Sequence, residues 1–259
     1  MREPLTIAVA QPPCVSYDVA ANAVTHAAAV SSADARVVIF PELSLTGYEL
    51  DAPAVAAEDP RLAPIVEACA EAGSLALVGA PVNDDAGRSH IAMLAIEGTG
   101  ASAAYHKMWL GTAESDRFTP GGRPAALEVD GWRLGLAICK DTGDPQHASD
   151  TAALGIDVYV AGILERAEDA GVLDERARRV AADHQVWVVL ASFAGGTGGG
   201  FDRAAGRSAI WTSEGAVIAQ AGPEPGAVAR ATLETGVRML PDNGVFSATR
   251  RQPSGRPRT

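Results

Sequence analysis

The sequence predicts an α/β protein whose sheets are covered on both faces. Apolar runs of strand length recur along the chain, and their hydrophobicity is nearly continuous, which is typical of strands buried on both sides. Segments with helical patterning separate several of these runs, and this alternation favours an α/β architecture. Hydrophobic residues make up 47% of the 259 residues, which is enough apolar material for one large core.

The predicted elements follow one another in a regular order. Predicted helices cover residues 18–35, 60–73, 147–155 and 173–185, and the second one has Pro60 and Gly73 as typical boundary residues. Residues 206–222 differ, because "TSEG" separates two short apolar runs as the turn of a β-hairpin does. The predicted strands cover residues 5–11, 35–42, 74–82, 91–98, 133–140, 156–164 and 186–195.

The composition disfavours several classes of partner. The net charge of −11 disfavours nucleic acid or an anionic membrane as the main partner. No apolar run reaches the eighteen or so residues that a membrane helix needs, and the N-terminus shows no signal peptide. We therefore expect a cytoplasmic protein.

The cysteines and the C-terminus complete this outline. Cys14, Cys69 and Cys139 are widely spaced and form no CxxC pair, so we expect reduced thiols, with Cys69 in a helix of the core. Residues 1–245 are predicted to form a single domain. Residues 246–259 are rich in Arg, Pro and Gly, and we expect a tail that is mobile or docks on a partner subunit.

Three segments carry residues that could take part in catalysis. Glu42 follows the run "VVIFP", Lys107 lies in "AAYHKMWL", and Cys139 ends the run "RLGLAIC". A carboxylate in an apolar rim has a raised pKa and can act as a general base, which could activate a thiol. Each residue alone is also compatible with a surface turn, a snorkelling lysine or an inert thiol. Only Lys107 and Lys140 of the 21 basic residues are lysines, which favours a functional role for Lys107.

Five short segments occur in a fixed order along the chain. They are "IAVAQ", "FPELSLTGY", "HKMWL", "GLAIC.D" and "GRSAIWTSEGAVIAQAG". In this order and spacing they resemble the first strand, the glutamate, lysine and cysteine motifs and the late hairpin of the nitrilase superfamily of carbon–nitrogen hydrolases. The resemblance covers most of the chain. It implies a four-layer αββα sandwich that associates as a homodimer or a higher homo-oligomer.

The resemblance also implies a mechanism. The protein would be an amidase-like hydrolase that cleaves a non-peptide C–N bond of a small amide, releases ammonia and passes through a cysteine thioester. Glu42 would act as the general base, Cys139 as the nucleophile and Lys107 as the cation that stabilises the tetrahedral intermediate. Glu114, in "ESDRFTPG", matches a second glutamate of the family and is expected to position Lys107, with proton transfer as a further role left open. No cofactor is expected, and no metal, because His and Asp show no metal-ligand spacing.

The substrate contacts are less closely defined. We expect Tyr48, Lys140 and Ile163 to contact the substrate. The backbone N–H of Lys140 is expected to contribute to the oxyanion site. Its side chain stands where the family more often has an aromatic residue, and it could lower the pKa of Cys139, meet an acidic substrate or remain solvated.

Several other functions stay open at this point. Within the family, N-carbamoyl hydrolysis, nitrile hydrolysis and amide-forming acyl transfer compete with amide hydrolysis, and a non-catalytic member would act as a binding subunit. A papain-like enzyme would pair Cys139 with His106, His147 or His184. No local signature of that family surrounds Cys139.

Overall fold

A computed structural model describes residues 2–234, which form two large sheets with helices on their outer faces. The helices are α1 (Val19–Ala33), α2 (Ala63–Ala72), α3 (Thr112–Ser115), α4 (Pro145–Ala152) and α5 (Gly171–His184), and short 3-10 turns cover Pro60–Leu62, Cys139–Gly143 and Ala167–Asp169. The strands are β1 (Leu5–Ala10), β2 (Val37–Ile39), β3 (Leu75–Asn83), β4 (Ser89–Glu97), β5 (Gly100–His106), β6 (Ala125–Val129), β7 (Trp132–Ile138), β8 (Val158–Ile163), β9 (Trp187–Ser192), β10 (Ala194–Thr197), β11 (Phe201–Ala205), β12 (Ala209–Trp211), β13 (Val217–Gln220) and β14 (Val228–Leu233).

The two six-stranded sheets share one strand pattern. The first has the order β14-β1-β2-β3-β4-β5 and the second has the order β13-β12-β9-β8-β7-β6. In each sheet the three central strands are parallel. One strand pairs with them antiparallel on one side, and two strands follow by successive antiparallel pairings on the other. The carboxyl ends of the parallel strands therefore lie at a common edge of each sheet, where α/β proteins generally build their sites.

Three apolar clusters fill the spaces between the layers. The central one joins the facing sides of the two sheets, for example Ile39 and Leu77 from the first with Leu136 and Val160 from the second. A second cluster packs α1 and α2 on the first sheet, and a third packs α4 and α5 on the second. The described residues therefore form the four αββα layers that the resemblance implies, and both faces of each sheet are covered.

Local sequence signals fix the helix ends. Asp18 precedes α1 and accepts a hydrogen bond from the backbone N–H of Ala21, while Asp144 caps α4 in the same way through Gln146. Gly73 ends α2 in the left-handed conformation with φ of +63°, as predicted from its position. The predicted helices and the 209–220 hairpin are thus confirmed, with shifts of a few residues at their ends.

Three edge strands were not predicted from the sequence. β5, β6 and β14 carry small or alternating polar and apolar residues, because one or both of their faces are partly exposed, and a continuous apolar run does not mark them. The strand predicted for 35–42 is also shorter, and β2 ends before Pro41, which has no N–H for a ladder. The predicted tail at 246–259 and the domain end at 245 lie outside the described residues. Among residues 2–234, no helix is long and apolar enough to cross a bilayer.

Candidate active site

Three of the residues singled out from sequence lie at strand ends that face each other across the sandwich. Glu42 follows β2, Lys107 directly follows β5, and Cys139 directly follows β7. Glu42 and Lys107 belong to the first sheet, whereas Cys139 belongs to the second. Side chains separated by up to 97 positions in the sequence are thus brought to one place.

Glu42 is a buried carboxylate that is only half satisfied. Its Oε1 accepts a hydrogen bond from Nζ of Lys107 over 2.6 Å, while Oε2 has no hydrogen-bond partner among the described residues. Burial raises the pKa of Glu42 to about 7; the ammonium of Lys107 opposes this shift and the charge of Glu114 adds to it. Near neutral pH this carboxylate can therefore both accept and return a proton.

The backbone beside Glu42 is held between the two sheets. A methyl group at Gly162 of β8 would lie 2.6 Å from the carbonyl oxygen of Phe40 and 2.9 Å from the backbone nitrogen of Glu42. Gly79 of β3 meets the Pro41 and Glu42 backbone equally closely from the other side. Only glycine allows this approach, because any side chain would overlap the backbone atoms of the neighbour.

Lys107 is fully buried and bridges two carboxylates. Its Nζ donates to Glu42 and to both carboxylate oxygens of Glu114, each of the latter over 2.8 Å. Burial alone would lower the pKa of Lys107, but Glu42, the charge that Cys139 can carry and Glu114 together raise it above its ordinary value. Lys107 therefore stays an ammonium ion.

Glu114 in α3 is held by three kinds of donor. Its carboxylate accepts from Lys107, from the hydroxyl of Tyr48 over 2.9 Å and from the backbone N–H of Gly111 over 2.6 Å. Burial disfavours its charge, but these donors, Lys107 first, leave the pKa of Glu114 below its ordinary value. Glu114 is therefore ionised while Glu42 titrates near neutrality. The two glutamates have separate chemical behaviour although they share one lysine.

Cys139 begins the 3-10 turn in an unusual backbone conformation. Its φ is +43°, in the left-handed region that a residue with a side chain seldom adopts, and such residues concentrate at functional sites. The thiol is partly exposed and donates to the carbonyl oxygen of Leu164 over 3.4 Å. Burial, together with the charge of Glu42, raises the pKa of Cys139 well above its ordinary value, while Lys107 lowers it. The resting group is therefore a thiol, which needs a base before it can attack.

A second buried cluster lies directly behind this cysteine and was missed at the sequence level. Asp141 is fully buried and accepts four hydrogen bonds: Oδ2 from Ile138 N–H and the Tyr105 hydroxyl, and Oδ1 from Met108 N–H and Trp109 N–H. It therefore ties the turn at Cys139 to the segment after Lys107. The signal that could have found it is the acid two residues after the cysteine in "CKD", at the end of an apolar strand.

His147 extends this second cluster away from Cys139. Tyr105 gives its proton to Asp141, so His147 donates from Nε2 to the Tyr105 oxygen over 2.8 Å and accepts at Nδ1 from Tyr159 over 2.9 Å. Both ring nitrogens are thus engaged. His106 stacks on His90 with 4.3 Å between ring centroids. These contacts do not form the Cys/His pair that a papain-like enzyme requires.

The predicted substrate contacts occupy three different settings. Tyr48 is half-buried at the site, hydrogen-bonded to Glu114 and in edge contact with Phe201 at 5.3 Å between centroids. Lys140 is exposed, and its Nζ donates to the carbonyl oxygen of Leu110 over 2.6 Å. Ile163 is fully buried in the cluster between the second sheet and its helices. Among residues 2–234, no group of three or more His, Cys, Asp or Glu side chains could hold a metal ion.

The same four-layer sandwich is found among solved structures. An amidase from Nesterenkonia sp. AN1 superposes with a TM-score of 0.80 at 21% identity, over 89% of this chain and 93% of that one. Nit3 of Saccharomyces cerevisiae, a member of branch 10 of the nitrilase superfamily, superposes with a TM-score of 0.79 at 20% identity, over 90% and 91% of the two chains. At these identities the likeness shows the fold.

The sequence comparison identifies the family. The carbon-nitrogen hydrolase profile matches residues 6–238, and the chain belongs to this family, as the resemblance indicated. A protein of Pseudomonas protegens, named as the hydrolase in the pqqF 5′ region, is 30% identical over 227 residues, which cover 84% of this chain and 79% of that protein. The protein is therefore a carbon–nitrogen hydrolase. One structure of the Nesterenkonia amidase carries acrylamide joined by Michael addition to its active-site cysteine.

Proposed function

We propose that this protein hydrolyses a small amide to a carboxylic acid and ammonia, with Cys139 as nucleophile, Glu42 as general base and Lys107 as the stabilising cation. The observation that carries the proposal is that Oε2 of Glu42 has no hydrogen-bond partner within residues 2–234 although it is buried. Its carboxylate has a pKa of about 7 and lies close enough to the thiol of Cys139 for the two groups to affect each other's pKa.

The first half of the reaction forms a thioester. Oε2 of Glu42 takes the thiol proton as the sulfur of Cys139 attacks the amide carbon, and the carbonyl oxygen becomes an oxyanion. The ammonium of Lys107 and the backbone N–H of Lys140 stabilise that oxyanion. Glu42 then returns its proton to the amide nitrogen, the C–N bond breaks, and ammonia leaves.

The second half regenerates the enzyme. Glu42 takes a proton from a water molecule as the water oxygen attacks the thioester carbon. The negative oxygen of the resulting tetrahedral intermediate again lies beside Lys107. When the C–S bond breaks, the sulfur takes the proton from Glu42 and the carboxylic acid is released. The sum is amide plus water giving acid plus ammonia. Glu114 keeps Lys107 in place throughout, because its pKa is low and its three donors hold it ionised.

The name of the Nesterenkonia enzyme supports amide hydrolysis as the first choice. That enzyme shares the fold and is an amidase with an active-site cysteine. The sequence-based predictions of a homodimer, a cytoplasmic location and substrate contacts by Tyr48 and Ile163 stay predictions.

An ammonia-release screen tests the proposal. The panel contains small aliphatic amides, ω-amides, N-carbamoyl amino acids and nitriles, and the Cys139→Ala variant serves as the blank. We expect turnover of at least one small amide, absent in the variant. Release confined to carbamoyl compounds or nitriles would replace the substrate class, and no release from any class would favour the binding-subunit function.

A further inference from the structure

The side chain of Lys140 contacts the framework of the site. Its Nζ donates to the carbonyl oxygen of Leu110 over 2.6 Å, across 30 positions of sequence. Within residues 2–234, no carboxylate lies within ion-pair distance of this ammonium group. A backbone carbonyl in the segment after Lys107 is therefore the contact that orients Lys140.

That carbonyl belongs to the Leu110–Gly111 peptide group, whose N–H makes a second contact. The same peptide carries the N–H of Gly111, which donates to Oε2 of Glu114 over 2.6 Å. In a trans peptide the C=O and N–H point in opposite directions, so the peptide lies between an ammonium ion and a carboxylate. The positive end of its dipole faces Glu114, and the negative end faces Lys140.

The line of contacts ends at the reacting groups. Glu114 binds Nζ of Lys107 through both oxygens, and Lys107 binds Glu42. From Lys140 to Lys107 there are only one peptide group and one carboxylate. Asp141 accepts hydrogen bonds from the N–H groups of Met108 and Trp109, which precede Leu110. The two residues that follow Cys139 therefore both bind the segment that follows Lys107.

We propose that Lys140 is a positioning residue for the reaction, which fixes the Leu110–Gly111 peptide and through it Glu114 and Lys107. The inference rests on the proposed function of the site. The exposed position of Lys140 beside the nucleophile suggests the competing role predicted from sequence, contact with an acidic substrate. The two roles differ in the kinetic constant that they control, because a group that places Lys107 affects every substrate alike.

The test uses Lys140→Met, which keeps the length of the side chain and removes its donor. Steady-state kinetics are measured on butyramide, which is uncharged, and on succinamate, which replaces its terminal methyl by a carboxylate. We expect kcat to fall about fivefold to tenfold on both substrates, the scale of one typical solvent-exposed hydrogen bond, while KM changes less than about twofold. Lys140→Arg should recover most of the loss, because a guanidinium also donates to a carbonyl.

Two outcomes would overturn the inference. An unchanged kcat on both amides would show that the peptide keeps its place without Lys140. A rise in KM confined to succinamate would assign Lys140 to the substrate instead. Arg178→Met is the matched control, because Arg178 is exposed on α5 and pairs with Asp174 of the same helix, and its kinetics should equal those of the unmodified protein.

The experiment also separates this inference from the proposed function. Turnover that survives in Cys139→Ala would overturn the function itself. Loss of turnover in Cys139→Ala with normal Lys140→Met kinetics would overturn only the positioning role. Melting curves of Lys140→Met should match those of the unmodified protein, since the side chain is exposed and forms a single hydrogen bond.

Discussion

Two buried polar clusters lie side by side in this protein, and they differ in how fully their atoms are satisfied. The Lys107 cluster consists of Glu42, Lys107 and Glu114, and it leaves Oε2 of Glu42 without a partner among the described residues. The Asp141 cluster consists of the four residues Asp141, Tyr105, His147 and Tyr159. Its carboxylate accepts four hydrogen bonds, and both nitrogens of its histidine are engaged.

The difference separates a reactive group of residues from a structural one. A buried polar atom without a partner costs free energy, so native proteins keep few of them, and those that persist need an explanation. In the Lys107 cluster the oxygen without a partner among residues 2–234 belongs to the carboxylate that, in our proposal, takes the proton of Cys139. The Asp141 cluster has no such atom among its side chains, and it joins the turn at Cys139 to the Lys107 segment. We therefore expect substitutions in the first cluster to affect turnover and those in the second to affect stability.

The largest effect is expected for Lys107→Arg. The guanidinium keeps the charge but is wider than the ammonium, which fits between Glu42 and Glu114 at 2.6–2.8 Å. Ammonia release should fall below detection. A melting curve checks that the variant is folded, and normal turnover in a folded Lys107→Arg protein would contradict the role given to Lys107.

A slightly smaller loss is expected for Glu42→Gln. The amide keeps the shape of the carboxylate and can still accept from Lys107, but it cannot take the thiol proton, so kcat should fall by about 10²- to 10⁴-fold. The melting temperature should stay the same or rise, because the neutral amide avoids the cost of burying a charged carboxylate, which outweighs the attraction of Lys107 for that charge. A lower melting temperature with intact turnover would contradict the interpretation of the Lys107 cluster as reactive, and would make it the structural one.

The pH dependence gives a third comparison. The pKa of Glu42 is about 7, and only the deprotonated carboxylate can act as base. The value of kcat/KM should therefore be constant well above pH 7 and fall about tenfold per unit below it. The pKa of Glu114 is lower than its ordinary value, so Glu114 stays ionised over this range. An acid limb centred near pH 4.5 would show that Glu42 is not the titrating base.

The smallest effect on turnover is expected for Tyr105→Phe. The change removes one of the four donors to Asp141 and leaves Nε2 of His147 without its acceptor. We expect the free energy of unfolding to fall by about 1–3 kcal/mol, measured by urea denaturation, while kcat changes less than about threefold. The acid limb of the pH profile should keep its position, and a shift would show that the two clusters are electrostatically coupled.

The sequence predicted the two kinds of cluster very unequally. Glu42 and Cys139 could be found because each lies at the end of a predicted apolar strand, and Lys107 because lysine is scarce in this chain. The order of all three also resembles a known family. Asp141 could not be distinguished from an ordinary turn acid, since its four donors come partly from residues more than 30 positions away. Whether a polar residue is buried depends on tertiary partners that local patterning does not contain.

The same limit applies to the fold. The central strands are continuous apolar runs and were predicted, whereas β5 and β14 are edge strands with partly exposed faces and were not. β5 matters for the site because Lys107 directly follows it. The hydrogen bond from Lys140 to Leu110 is likewise a product of the packing of two sheets, and the sequence left the side chain of Lys140 open.

The close contacts of Gly79 and Gly162 with the backbone around Glu42 have a consequence for the energetics of the proton transfers. β3 and β8 pack so closely on the chain at Pro41–Glu42 that neither Gly79 nor Gly162 has room for a side chain. In the proposed mechanism, a base on such a closely packed backbone needs little reorganisation between taking a proton and returning it. Folding therefore places the backbone of the proposed base before any substrate binds.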